Sequence, residues 1–179
     1  MRSVLRLALV LAVGLVMGCS TCSKKPDWVT KGTGAFKTEG KVLYGVGVAE
    51  NITSIALKRT TADNRAIAEV SKQLSTMSTS MMRDYMSSAS ATEEQKASGE
   101  QYVENTVKTF ASNTVSGVAI VDRWEDGGIL YSLAKLSIAD LKSMAQQMQQ
   151  LSAEVKNYII ANAEIAFDKL ESEQEKRGK

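Results

Sequence analysis

The chain has 179 residues, with 22 Lys plus Arg against 20 Asp plus Glu, two cysteines and no histidine. The length suits one domain with a real core. Two cysteines cannot build a disulfide framework, and the missing histidine removes the commonest general base and the commonest metal ligand.

Residues 1–18 have the three parts of a secretory signal. Arg2 and Arg6 supply the positive end, and residues 7–16 form an apolar core interrupted only by Gly14. That core is too short to span a bilayer comfortably, which takes about 20 apolar residues. It closes on Val16-Met17-Gly18-Cys19. Lipoprotein maturation needs a thiol at the new N-terminus, a small residue before it and an aliphatic one at minus three. Cys19, Gly18 and Val16 meet these needs, so cleavage is expected between Gly18 and Cys19, with lipid on Cys19. A plain signal peptide cut at another small residue would leave Cys19 without a reason. Cys22 is a poor alternative, because Cys19 and Thr21 stand where its aliphatic and small residues should be. It is expected to be an exposed tether residue, with a disulfide-linked dimer through it as the lesser reading. Several acyl chains hold a protein on a membrane far more firmly than one. Ser20 rather than Asp after the cysteine favours the outer membrane, with the domain facing the periplasm.

Removing residues 1–18 takes away two arginines and no acid, leaving 20 basic against 20 acidic residues. A neutral mature chain gives no electrostatic reason to expect a nucleic-acid partner. Residues 19–40 are polar and glycine-containing and read as the lipidated N-terminus and a flexible tether. Trp28 interrupts them and is expected to pack on the edge of the domain, ending the free tether there.

Residues 41–50 are rich in β-branched and aromatic side chains and predict a strand. Gly45 and Gly47 share one face of it, where another backbone could approach closely. A phosphate cradle is weakly supported, since Glu50 stands where the third glycine should be and no basic anchor follows. Asn51, Thr53 or Ser54 can cap the next helix, which the spacing carries to about Ser88. Its stripe is Ile67, Val70, Leu74, Met77 and Met81, with Ala62 and Ala66 beside it to allow close packing on a sheet. Met77, Met81, Met82 and Met86 crowd its far end. They read as core and rim, with an adaptable binding face as the second reading.

Residues 87–99 are small and polar and predict a loop. Residues 101–112, with Val103, Val107 and Phe110 at helical spacing, predict a short helix. Residues 117–125 predict a strand with Val118, Ile120 and Trp124 on one face. Asp126-Gly127-Gly128 is a hairpin turn signal, and residues 129–137 return as a strand with apolar side chains on both faces. A helical pattern begins at Ile138 and runs to about Gln174, with a stripe of Leu141, Ala145, Met148, Leu151, Val155, Tyr158 and Ile165 and a charged tail. About 37 residues make roughly 55 Å of helix, more than a small domain of about 30 Å can cover. Its later part is therefore expected to engage a protein partner or a second copy of the chain. A break near Asn157 or Asn162, or packing back along the first long helix, is the competing expectation.

No pattern of catalysis stands out. There is no Gly-x-Ser-x-Gly elbow and no cluster of ligand-type cysteines. Glu93-Glu94 and Glu125-Asp126 fall in a loop and a turn, whereas carboxylate catalysis needs two groups fixed across a cleft. No enzyme activity, metal or cofactor is expected.

Several stretches carry a family look. They are Pro26-Asp27-Trp28-Val29, then Leu43-Tyr44-Gly45-Val46-Gly47-Val48-Ala49, then Ala62-Asp63-Asn64-Arg65-Ala66-Ile67-Ala68-Glu69. Val118-Ala119-Ile120-Val121-Asp122-Arg123-Trp124 and Tyr131-Ser132-Leu133-Ala134-Lys135-Leu136 complete them. With the lipid-attachment motif, the chain resembles the Lpp-twenty family of small outer-membrane lipoproteins, which includes the flagellar lipoprotein FlgP. The resemblance covers about residues 26–137. It implies a compact domain with helices on a small sheet. It also implies an envelope role, as a surface antigen or a ring-forming part associated with the flagellum. It brings no catalytic residues, and the C-terminal helix lies outside it.

The expected fold is α+β, a small three-stranded antiparallel sheet packed by one long helix in a β-α-(α)-β-β core. The expected division is a signal peptide at 1–18, a tether at 19–40, the domain at 41–138 and a long helix at 139–179. Two classes of function are expected. One is a structural or interaction lipoprotein of the envelope. The other is a periplasmic module that regulates an envelope enzyme or holds an apolar ligand, supported by the methionine-rich helix end.

Overall fold

A computed structural model describes residues 24–36, 40–88 and 91–177. In chain order these form helix α1 (Asp27–Lys31), a 3-10 turn (Gly32–Phe36), strand β1 (Val42–Ala49) and helix α2 (Ile55–Ser87). Then come helix α3 (Glu93–Thr114), strands β2 (Ala119–Asp126) and β3 (Ile129–Ser137), and helices α4 (Ile138–Gln147) and α5 (Ala153–Arg177). The sheet is antiparallel in the order β1-β3-β2, so the fold is the expected α+β arrangement. β2 and β3 join through Gly127 and Gly128, both at positive φ, as a two-residue hairpin turn of the primed type requires.

The register sorts side chains onto two faces. Leu43, Gly45, Gly47 and Ala49 of β1 pair with Leu136, Ala134, Ser132 and Leu130 of β3, and α2 lies on this face. A Cβ built on Gly47 would overlap the Ala62 carbonyl and the Ala66 amide nitrogen. One on Gly45 would overlap the Ala66 carbonyl and come within 2.9 Å of a Val70 methyl. Helix backbone thus rests directly on strand backbone, with alanines opposite glycines. Ser54 is the N-cap of α2, accepting from the Leu57 amide at 3.4 Å. Along α2, Ala62, Ala66, Val70, Leu74, Met77, Met81, Met82 and Tyr85 are buried. Met77, Met81 and Met82 are core, and Met86 packs partly buried against it.

α3 begins earlier than the spacing predicts. Thr92 and Gln95 form a capping box, which satisfies two orphan amides at the helix start. Gly99 kinks the helix at φ 51°. Gln95 also ties it to α2, because Tyr85 donates to its Oε1 at 2.9 Å and its Nε2 donates to Tyr102 at 2.9 Å.

A second difference is on β2. A bulge between Ile120 and Asp122 shifts the register. An extra residue in a strand flips the side chains beyond it to the other face. Ile120 therefore faces α2 while Trp124, expected beside it, lies on the opposite face with Tyr131.

The third difference concerns the C-terminal helix expected over residues 139–179. It is two helices. α4, capped by Ser137, which accepts from the Asp140 amide at 3.0 Å, ends at Gln147. α5 starts at Ala153 and packs back along the far half of α2. Tyr158 meets Tyr85 edge-on at 5.0 Å, and Lys169 reaches Ser80 at 3.0 Å. The break rephases the stripe to Val155, Ile159, Ala163, Ala166, Phe167 and Leu170, all buried. Ile165, expected in the stripe, is 65% exposed. One apolar core runs from Leu43 through Leu74 and Leu141 to Leu170, so residues 139–177 complete the domain rather than extend from it.

The contact at Gly47 is testable. Gly47→Ala should destabilise the unlipidated chain by about 1–3 kcal/mol in urea unfolding, as overpacking does. A change within about 0.5 kcal/mol, the ordinary surface range, would show that the helix can lift off the strand at little cost.

Candidate functional site

Gly18, Cys19 and Cys22 lie outside the described residues. The next part of the chain, residues 27–36, is expected from the sequence to be flexible tether. Instead it forms α1 and the 3-10 turn and lies on the second face of the sheet. Trp28 is 5% exposed, and its Nε1 donates to Asp122 Oδ2 at 3.1 Å. Phe36 stacks on Tyr44 with ring centroids 4.0 Å apart. Lys25 Nζ sits 3.8 Å from Asp126 Oδ2 and 5.9 Å from the centre of the Tyr131 ring. The segment after the lipid-attachment motif is therefore fastened across the sheet from the hairpin end toward the start of β1. Trp28, expected on the edge of the domain, lies over the face of the sheet at β2, one of its two outer strands.

A polar group sits on the helix-covered face. Asp63 of α2 takes Arg123 bidentately, Nε to Oδ1 and Nη2 to Oδ2, both at 2.8 Å. Ser132 donates to Oδ1 at 2.7 Å. The Arg123 hydrogen bond, aided by the one from Ser132, holds the Asp63 carboxyl below its ordinary range against the opposing effect of burial. The same bond raises Arg123. This is a serine beside a carboxylate, but Ser132 is fully buried and its proton points at an acceptor already neutralised by Arg123. The arrangement locks α2 to β2 and β3 and offers no nucleophile. Sequence reasoning missed it, since the two partners stand 60 and 69 positions from Asp63 and no local spacing links them.

The acidic pairs are also structural. Glu93 and Glu94 occupy the first turn of α3, where acids complement the helix dipole. Glu125 and Asp126 point to opposite faces of β2, where Lys58 meets Glu125 at 3.1 Å and Lys25 meets Asp126. Among the described residues no group of three or more His, Cys, Asp or Glu could hold a metal ion, and no helix is long and apolar enough to cross a membrane.

The LPP20 lipoprotein family matches residues 26–137, more than half of the chain. The chain belongs to the LPP20 lipoprotein family. No curated protein matches it in sequence. The match begins at Pro26, immediately before α1, and ends with β3. The LPP20 region therefore takes in both layers on the sheet, the α1 strap as well as α2, and excludes α4 and α5. Membership makes the chain a membrane-anchored lipoprotein of the envelope, and LPP20 is not a known enzyme family.

Asp63 predicts a pH dependence. A depressed carboxyl contributes stability above its unfolded value, about 3.9, and loses it as pH falls through its lower folded value. Asp63→Asn should cost about 1–3 kcal/mol at pH 7, the range for hydrogen bonds to charged groups, toward the low end because Arg123 is partly solvated. In urea unfolding the gap between variant and native chain should narrow as pH falls below about 4. A gap that stays constant down to pH 2 would show that the carboxylate's charge is not what matters.

Proposed function

We propose that this protein is a structural or interaction lipoprotein of the bacterial cell envelope, anchored through lipid on Cys19 at the outer membrane and facing the periplasm. The observation that carries the reading is LPP20 membership in a chain whose apolar leader ends on Val16-Met17-Gly18-Cys19. The two acidic pairs support a structural role, with Glu93 and Glu94 in the first turn of α3 and Glu125 and Asp126 each paired with a lysine. The competing reading, a module that holds an apolar ligand at the methionine-rich end of α2, loses its support. Met77, Met81 and Met82 are buried in the chain's own core.

Within the envelope the reading includes a protein partner or a second copy engaged through the C-terminal helix. Its outward face, where Ile165 stands, is what α5 offers for this. One such role is assembly around the flagellum, which the likeness to FlgP implies. Isolation of flagellar basal bodies with and without this chain tests that part directly.

Cys19→Ala should abolish incorporation of labelled palmitate, while Cys22→Ala should leave it intact. Label that persists in Cys19→Ala and disappears in Cys22→Ala would move the anchor to Cys22. Sedimentation of the unlipidated chain tests association separately. A defined oligomer that Ile165→Asp dissociates is expected, and a monomer at all concentrations would remove that part of the reading without touching the anchor.

A further inference from the structure

The end of the domain where the tether enters carries apolar side chains that the fold leaves uncovered. Lys25, beside Asp126, marks that end as the β2–β3 hairpin. The first turn of α2 starts at the same end, because Lys58, one turn in, pairs with Glu125 at 3.1 Å. The loop of residues 50–53 and the Gly127–Gly128 turn line one shallow depression there, with Ile129. Beside it Ile55 is 70% exposed and Leu57 57% exposed, and Ile52 is only partly buried. A helix start ordinarily favours acids, yet the first turn of α2 has none and reads Ile55-Ala56-Leu57 instead. Ile55 and Leu57 are two residues apart, so they flank the helix end rather than share a side of it. Such a pair suits a flat surface met end-on.

The length of chain before this end says what that surface is. Five residues separate Cys19 from Lys25, which is six Cα-to-Cα steps. Fully extended they span at most about 20 Å, less than the width of a small domain. We infer that this end of the domain rests on the bilayer that holds the lipid, with Ile55 and Leu57 entering the boundary between headgroups and acyl chains. This rests on the reading of Cys19 as the anchor. The lipid keeps the surface at high local concentration, so two exposed apolar side chains suffice as a second, weak membrane signal. Glu125 and Asp126 are each matched by a lysine, so an anionic leaflet does not repel the hairpin.

The test places an environment-sensitive fluorophore on Ile55→Cys, Leu57→Cys or Gln150→Cys, one at a time, in the lipidated Cys22→Ser chain. The carrier is a phosphatidylethanolamine–phosphatidylglycerol vesicle with or without brominated acyl chains. Gln150 is exposed and lies between α4 and α5, away from the hairpin. At least twofold quenching by brominated lipid at positions 55 and 57, and none at 150, is expected. A parallel chain starting at residue 20, tethered by a histidine tag to nickel-chelating lipid, repeats the measurement without Cys19. Intact mass showing no diacylglyceryl group, with quenching still seen in the tagged chain, would sink the Cys19 anchor and leave the membrane face standing. Labels at 55 and 57 that stay as aqueous as at 150 in both chains would overturn the inference. So would labels shielded from water yet untouched by bromine, which would show a protein covering this end.

Discussion

Everything in this domain hangs on the approach of α2 to β1 at Gly45 and Gly47. With no Cβ on either glycine, the Ala62 and Ala66 backbone sits on the strand itself. That contact fixes how far the helix is from the sheet and where each turn falls along it. Asp63, one residue past Ala62, is thereby set over Ser132 and within reach of Arg123. Leu74 to Tyr85 are carried past the sheet, where α3, α4 and α5 close around them. The helix also attends to β1 directly, with Gln73 Nε2 donating to the Tyr44 carbonyl at 2.7 Å and Arg65 donating to that of Val48.

Legibility in the sequence tracked the range of the interactions. The glycine pair, the alanines and the apolar stripe of α2 repeat at local spacing, and the structure has them where the spacing puts them. The Gly127–Gly128 hairpin is equally local. The misses are non-local or are decided by one residue. Trp28 docks on Asp122, 94 residues away. The bulge at Val121 reverses Trp124, and an alternating pattern carries no mark of it. The capping box of Thr92 and Gln95 is local too, but the small polar residues around it resemble a loop. The break after Gln147 falls in Gln147-Met148-Gln149-Gln150, residues with good helix propensity and neither glycine nor proline. Only Ser152, whose hydroxyl accepts from the Val155 amide at 3.4 Å, signals a new start. The proposed anchor at Cys19 rests on its sequence neighbours alone, whereas the strap of residues 27–36 has no local signal in the sequence.

The break after Gln147 also explains the methionines. As a continuous helix, residues 138–174 would have pointed away from the domain and left the end of α2 open. By turning, α5 brings Ile159, Ala163 and Phe167 into the core that Met77 and Met81 share. Flexible unbranched side chains suit a seam where three helices meet at different angles. A feature that could have marked a binding surface is instead the filler of an irregular joint. Lys142 and Lys41 then hold α5 at Glu164 and Asp168, at 2.6 and 2.8 Å.

The two edges of the sheet bear on how such a domain meets other proteins. An open edge invites another strand unless it is blunted. On β1, the Tyr44 and Val48 carbonyls already accept from α2 side chains. On β2, the bulge at Val121 breaks the ladder, and Asp122, Arg123, Glu125 and Asp126 put four charges along eight residues. Bulges and charges are the ordinary means of refusing a strand. The two faces are occupied as well, one by α2 and the other by the strap from Trp28 to Phe36. Extension of the sheet by an added strand is therefore disfavoured on both edges. The Lys25–Asp126 and Trp28–Asp122 contacts lie on β2, on the opposite face from the glycine seam, so the strap and α2 grip the sheet independently.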